Sequence, residues 1–123
     1  MTDFEETLRT IVERTDGAVG AVIMGLDGIS VARADARPDI IDLDVVAAEY
    51  TALLRKSMRT AADDASLGEM RELVIVSDRL AFLIMLITPE YFLLLALESP
   101  AGLGRARFEL RKAQLALEED FSM

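Results

Sequence analysis

The chain has 123 residues, 52% of them apolar, and a formal net charge of −9. It is long enough for one hydrophobic core and too short for two, so residues 1–123 are read as a single domain. The charge argues against nucleic acid or an anionic membrane as the main target. The absence of Cys and His removes thiol nucleophiles, disulfides, Ser-His-Asp and Cys-His arrangements and the usual zinc ligands.

A cysteine-free chain fits the cytoplasm, and the acidic, amphipathic start "MTDFEETLRT" is unlike the basic and then apolar leader of a secreted protein. Thr2 and Glu5 have the spacing of a capping box, and Phe4, Leu8, Ile11 and Val12 share one helical face. This first helix should stop near Asp16-Gly17, where glycine admits the left-handed conformation. "GAVGAVIMGLDGISVARA" then reads as a hairpin, with strands at Ala18–Met24 and Ile29–Ala34 and a tight turn at Asp27-Gly28. "DARPD" is loop, because Pro38 disfavours helix at the residue before it.

Asp42 opens a long helix as its N-cap, with Asp44 in the first turn at the positive end of the dipole. Leu43, Val46, Ala47, Tyr50, Leu53, Leu54, Met58, Ala61 and Ala65 keep the spacing of a buried stripe. The helix should run from Leu43 to Ser66, roughly 36 Å at ~1.5 Å per residue. Ala48, Ala52 and Ala62 form a second row, small enough for another backbone to approach closely.

Leu73 to Val76 is a short, β-branched strand, turned by Ser77-Asp78-Arg79. The stretch that follows, "LAFLIMLITPEYFLLLAL" from Leu80 to Leu97, is oily enough to raise a membrane span. Such a helix needs ~20 apolar residues, and a central charge costs about 2.5–3.5 kcal/mol. Here Glu90 lies near the middle beside Pro89, which breaks a helical ladder, and no basic cluster flanks the run. It reads instead as two strands, Leu80–Thr88 and Tyr91–Leu97, joined by a turn that carries the proline. Neither strand alternates apolar with polar, and a strand covered on both faces need not. Both are therefore central strands of a three-layer α/β/α sandwich. Ser99-Pro100 opens the last helix, with an inner stripe of Leu103, Ala106, Leu110, Ala113 and Leu117 widened by Phe108 and Leu115. The acidic end "EEDFSM" should fray.

In this order of elements, "GAVGAVIMGLDGISVARA", "EYTALLRKSMRTA" and "LGRARFELRKA" resemble the roadblock/dynein light chain family. The likeness is nearest to bacterial members that regulate small Ras-like GTPases, the gliding-motility GTPase-activating proteins among them, and covers Thr2 to Glu118. It implies a five-stranded antiparallel sheet in the order 2-1-5-4-3, with the long helix on one face and the two terminal helices on the other. It also places Leu73–Val76 at a sheet edge, where a bare apolar strand invites aggregation. Family members pair that strand with its copy, giving a ten-stranded sheet with the long helices side by side. The resemblance therefore implies a homodimer through Leu54, Met58, Leu73, Val74, Ile75 and Val76, with at least the ~1,600 Å² of a standard interface.

Family GTPases dock across the paired long helices, which implies partner contacts at Ala48, Ala52, Arg55, Lys56 and Arg59. The family's activating proteins reshape the GTPase's own site without inserting an arginine, so these residues are assigned to binding and none to catalysis. Two bulky residues, Tyr50 and Leu54, stand where the gliding-motility proteins tend to be small, which leaves the partner open. For the three cations the alternative is ordinary surface solubility, and for Leu53 helix-to-sheet packing is preferred. "GRARFELRK", with Arg105, Arg107, Arg111 and Lys112, has the look of a phosphate or arginine-finger run. Glu109 can pair with Arg105 and with Lys112 or Arg111, so a solvated helix face is the better reading. The acidic pairs Asp42/Asp44, Asp63/Asp64 and Glu118/Glu119 lie at helix ends and outside any calcium loop. Gly102 and Gly104 lack the third glycine of a dinucleotide loop, so no cofactor, metal or nucleotide site is implied. A structural adaptor that leaves nucleotide turnover unchanged is the second reading, and a small-molecule sensor the third.

Overall fold

The computed structural model describes residues 3–121, and the Thr2 end of the expected capping box lies outside them. Helix α1 spans Phe4–Arg14 and is capped by Asp3, whose Oδ1 accepts from the Glu6 amide at 3.1 Å. Gly17 takes φ +79° and releases the chain into a hairpin, β1 Ala18–Gly25 and β2 Ser30–Asp35, whose turn needs Gly28 at φ +85°. Helix α2 covers Leu43–Asp63, with the Asp42 carboxylate accepting from the Val45 amide at 3.3 Å. Strands β3 Glu72–Val76, β4 Ala81–Thr88 and β5 Tyr91–Leu97 follow, and a single 3₁₀ turn at Pro100–Gly102 leads into α3, Leu103–Phe121.

The strands form one antiparallel sheet in the order β2-β1-β5-β4-β3. Its register puts Arg33, Val22, Leu94, Ile84 and Leu73 in one row across all five strands. Val22, Leu94, Ile84 and Leu73 belong to a cluster with Leu43, Ala47 and Leu54 of α2. Ile23, Leu93 and Met85, one residue on or back, join Leu8 and Ile11 of α1 and Leu110 and Leu117 of α3 instead. Alternate residues of β4 and β5 thus enter opposite cores, and both faces are apolar for that reason. The oily segment is two central strands turned at Pro89-Glu90, and among the described residues no helix is long and apolar enough to cross a membrane.

Four local expectations are corrected. Helix α2 stops at Asp63, short of Ser66, because the Asp64 carboxylate accepts from both the Ser66 amide (3.0 Å) and its hydroxyl (2.6 Å). That side chain offers the backbone an alternative to the next helical turn. The helical part of α3 starts three residues after Pro100, since Ser99 Oγ accepts from the Ala101 amide and tightens the entry. The acidic end does not fray as far as Phe121: its ring stacks on Phe4 at 5.1 Å and meets Tyr91 at 4.5 Å, tying α3 to α1 and β5. Finally, Phe108 and Leu115 do not widen the inner stripe, being 54% and 56% exposed, while Glu109 is buried in their stead. Leu54 is fully buried between α2 and the sheet; Leu54→Ala should cost about 2–5 kcal/mol, seen in urea melts as a lower midpoint at unchanged slope.

Candidate docking face and sheet edge

The two faces of the sheet are covered unequally. Five strands ~4.8 Å apart set the outer pair about 19 Å from one another, while a helix with its side chains is ~10 Å across. Helices α1 and α3 share one face, whereas α2 lies alone on the other. The deficit falls at β3, the last strand of the sheet, where Leu73 and Ile75 are only partly buried beside α2 and Val76 is 56% exposed. Val74, also half-buried, leans on the α1/α3 core. Apart from β4, β3 has no strand partner among the described residues.

Helix α2 presents two flanks. On one, Arg55 Nη1 donates to the Leu26 carbonyl and Ala48 approaches Gly28, so this flank abuts the β1–β2 turn. On the other, Tyr50 packs edge-on against Phe82 of β4 at 5.3 Å. Val46, Tyr50, Leu53 and Ser57 follow one another at helical spacing along that β3-side flank. Leu53 is 43% exposed there, which corrects its assignment to helix-to-sheet packing. Adjacent residues on a helix point ~100° apart, so Leu53 and Leu54 cannot both face the sheet. Leu54 takes the core position and, being fully buried, is not an interface residue of this protomer. Met58 is half-buried and turns instead to a groove at the end of α2, with Met70, Leu86 and Gln114.

The outward row of α2 carries Ala52, Lys56 and Arg59 exposed and Ala48 half-buried, with Arg55 spent on the Leu26 carbonyl. Ala52 is a small exposed side chain one turn before the cations. The other basic run is engaged inside the molecule. Arg107 pairs with Glu72 of β3 at 2.8 Å, Arg111 with Gln114 at 2.8 Å, and Arg105 donates to the Arg14 carbonyl. Arg105 and Lys112 also flank the buried Glu109, at 3.8 and 3.2 Å. Asp42 and Asp64 act as caps, Asp44 pairs with Arg33 at 2.6 Å, and among the described residues no three acidic groups converge to hold a metal ion.

Residues 4–97 match the family model described as the Roadblock/LC7 domain. The chain belongs to that family. MglC from Myxococcus xanthus is 30% identical over 95% of this chain and 98% of its own, with a TM-score of 0.65. The gliding protein MglB from Thermus thermophilus is 22% identical over 93% and 84% (TM-score 0.80), and a Roadblock/LC7 domain from Streptomyces avermitilis is 16% identical over 99% and 100% (TM-score 0.84). At those identities the last two attest the fold, and no curated protein matches the chain. Within this roadblock fold the turn after α2 carries a titratable marker. Hydrogen bonds from the Ser66 hydroxyl and then its amide hold the Asp64 carboxyl below the ordinary 3.8. Its contribution is therefore present above that value and is lost as pH falls through the lower folded one. A carboxyl NMR titration should place the Asp64 midpoint below 3.8, and Ser66→Ala should move it back up.

Proposed function

We propose that this roadblock chain acts as a homodimer that binds a small Ras-like GTPase in the cytoplasm and adjusts its nucleotide cycle, with no chemistry of its own. The observation that carries the reading is the unequal cover of the sheet. A bare β3 edge and the half-exposed row Val46, Tyr50, Leu53 and Ser57 lie on the same side of α2, so a second copy can cover both at once. Strand pairing satisfies the edge, and the two α2 helices, laid side by side, bury the apolar row. Leu73, Val74, Ile75 and Val76 then sit at the centre of a continuous sheet.

The paired helices turn Ala48, Ala52, Lys56 and Arg59 outward as a joint platform, and Arg55 fixes the platform to the β1–β2 turn. A GTPase switch segment bound there is held in one of its conformations, and the equilibrium shifts by the difference in affinity for the two. The resemblance to gliding-motility regulators and the MglB and MglC likenesses support the choice of partner.

Sedimentation at micromolar concentration should give a dimer, and Leu53→Arg should raise its dissociation constant by more than about tenfold without loss of helix signal. A wild-type monomer under those conditions rules out the dimer. GTPase capture from native lysate, followed by single-turnover hydrolysis with and without the protein, tests the partner and separates a regulator from an adaptor that leaves turnover unchanged. Ala52→Arg in a folded dimer should abolish the capture; undiminished capture moves the dock off α2.

A further inference from the structure

The outward face of α3 exposes two large apolar side chains. Phe108 and Leu115 are both more than half exposed and lie two turns apart, about 10.5 Å along the helix. The Arg105 guanidinium and the Lys112 ammonium stand 5.4 and 4.9 Å from the centre of the Phe108 ring. Both cations are held from beneath by one carboxylate. Glu109 is 2% exposed, with Lys112 at 3.2 Å, Arg105 at 3.8 Å and Arg14 of α1 at 4.0 Å. A solvated helix face has no need of a buried carboxylate. Glu109 lies within ion-pair distance of both cations, one before and one after the aromatic ring, although its Oε2 accepts no hydrogen bond among the described residues.

Charge decides what fits it. Around Phe108 three cations, Arg105, Arg111 and Lys112, stand against the buried Glu109, while Arg107 is paired with Glu72 and the exposed Glu118 and Glu119 bound the Leu115 end, in a chain whose net charge is −9. An acidic ligand is drawn to this face and repelled by the rest of the surface. Nucleic acid and anionic membranes are extended fields of negative charge that would meet the acidic body as well as the patch, which disfavours both. A slender acidic segment meets only the patch.

We propose that the Phe108/Leu115 face of α3, framed by Arg105, Arg111 and Lys112, docks an acidic amphipathic helix of a partner protein. Partner leucines seat against Phe108 and Leu115, and flanking carboxylates meet the three cations. The family match ends at Leu97, before α3 begins, and this surface is separate from the outward row of α2. A partner held here can be carried by the roadblock dimer while α2 is occupied.

The test uses the full chain and a fluorescein-labelled designed helix with leucines two turns apart and glutamates on either side. A control peptide replaces each glutamate by lysine. The acidic peptide should bind saturably, with NMR amide shifts centred on α3 and affinity falling as salt is raised. Phe108→Ala and the pair Arg105→Glu with Lys112→Glu should each weaken it by at least about tenfold, with circular dichroism unchanged, whereas Ala52→Arg should have no effect. Absent binding, equal binding of the lysine peptide, or shifts centred away from α3 overturns the proposal. So does a folded Phe108→Ala chain that binds as the parent does. Binding to phosphatidylserine vesicles that the acidic peptide fails to displace would assign the face to membranes and also overturn it.

Discussion

Strands β4 and β5 carry apolar side chains on both faces, and this fixes the rest of the architecture. A strand with oil on one side can sit at the surface of a sandwich; one with oil on both must have layers above and below it. Phe92, Leu94 and Ala96 look toward α2, and Leu93, Leu95 and Leu97 toward α1 and α3. Each fully buried Leu contributes roughly 1.5–3 kcal/mol relative to exposure, so the central strands supply a large part of the driving force. The helices are as much cover as structure. Their inner faces are spent on the sheet, and only their flanks and outer rows remain for anything else.

That division locates the surfaces of interest. On one face two helices share the work, and the sheet is covered. On the other a single helix leaves β3 half-exposed, and the shortfall is apolar. Aggregation and specific association start from the same feature, an unpaired apolar edge. The difference lies in whether the partner is unique. In the dimer we propose, a twofold axis beside β3 matches the edge and the Tyr50/Leu53 flank with identical groups.

Much of this was legible in the sequence, and the residues show why. The Asp27-Gly28 turn, the Pro89-Glu90 break and the Asp42 cap are local devices whose chemistry acts within a few residues, so a linear reading finds them. The strand order came with the family resemblance and would not have followed from hydropathy, since no local pattern says that β5 lies between β1 and β4. What went astray was the assignment of individual helix positions. Leu53 and Leu54 are adjacent and chemically alike, and only their ~100° separation around the axis decides that one is core and the other surface. On α3, hydropathy favoured Phe108 over Glu109 for the interior, and the structure has them reversed. Position 109 falls in step with Ala106, Leu110 and Ala113, so its periodicity pointed inward while its charge pointed out. Arg14 on a different helix supplies one of its partners, and that contact lies beyond the reach of spacing.

The Glu109 reversal bears on how the two helix faces differ in kind. A buried carboxylate is costly unless charged partners surround it, and here three cations from two helices do so at 3.2 to 4.0 Å. On α2 no buried carboxylate among the described residues anchors the outward cations Lys56 and Arg59, and Arg55 is tethered to a backbone carbonyl. On α3 the cations gather instead round the buried Glu109. The outward cations of the two sides are therefore placed differently, and the difference follows from how many helices each face of the sheet received: only where two helices lie together can a carboxylate be buried between them.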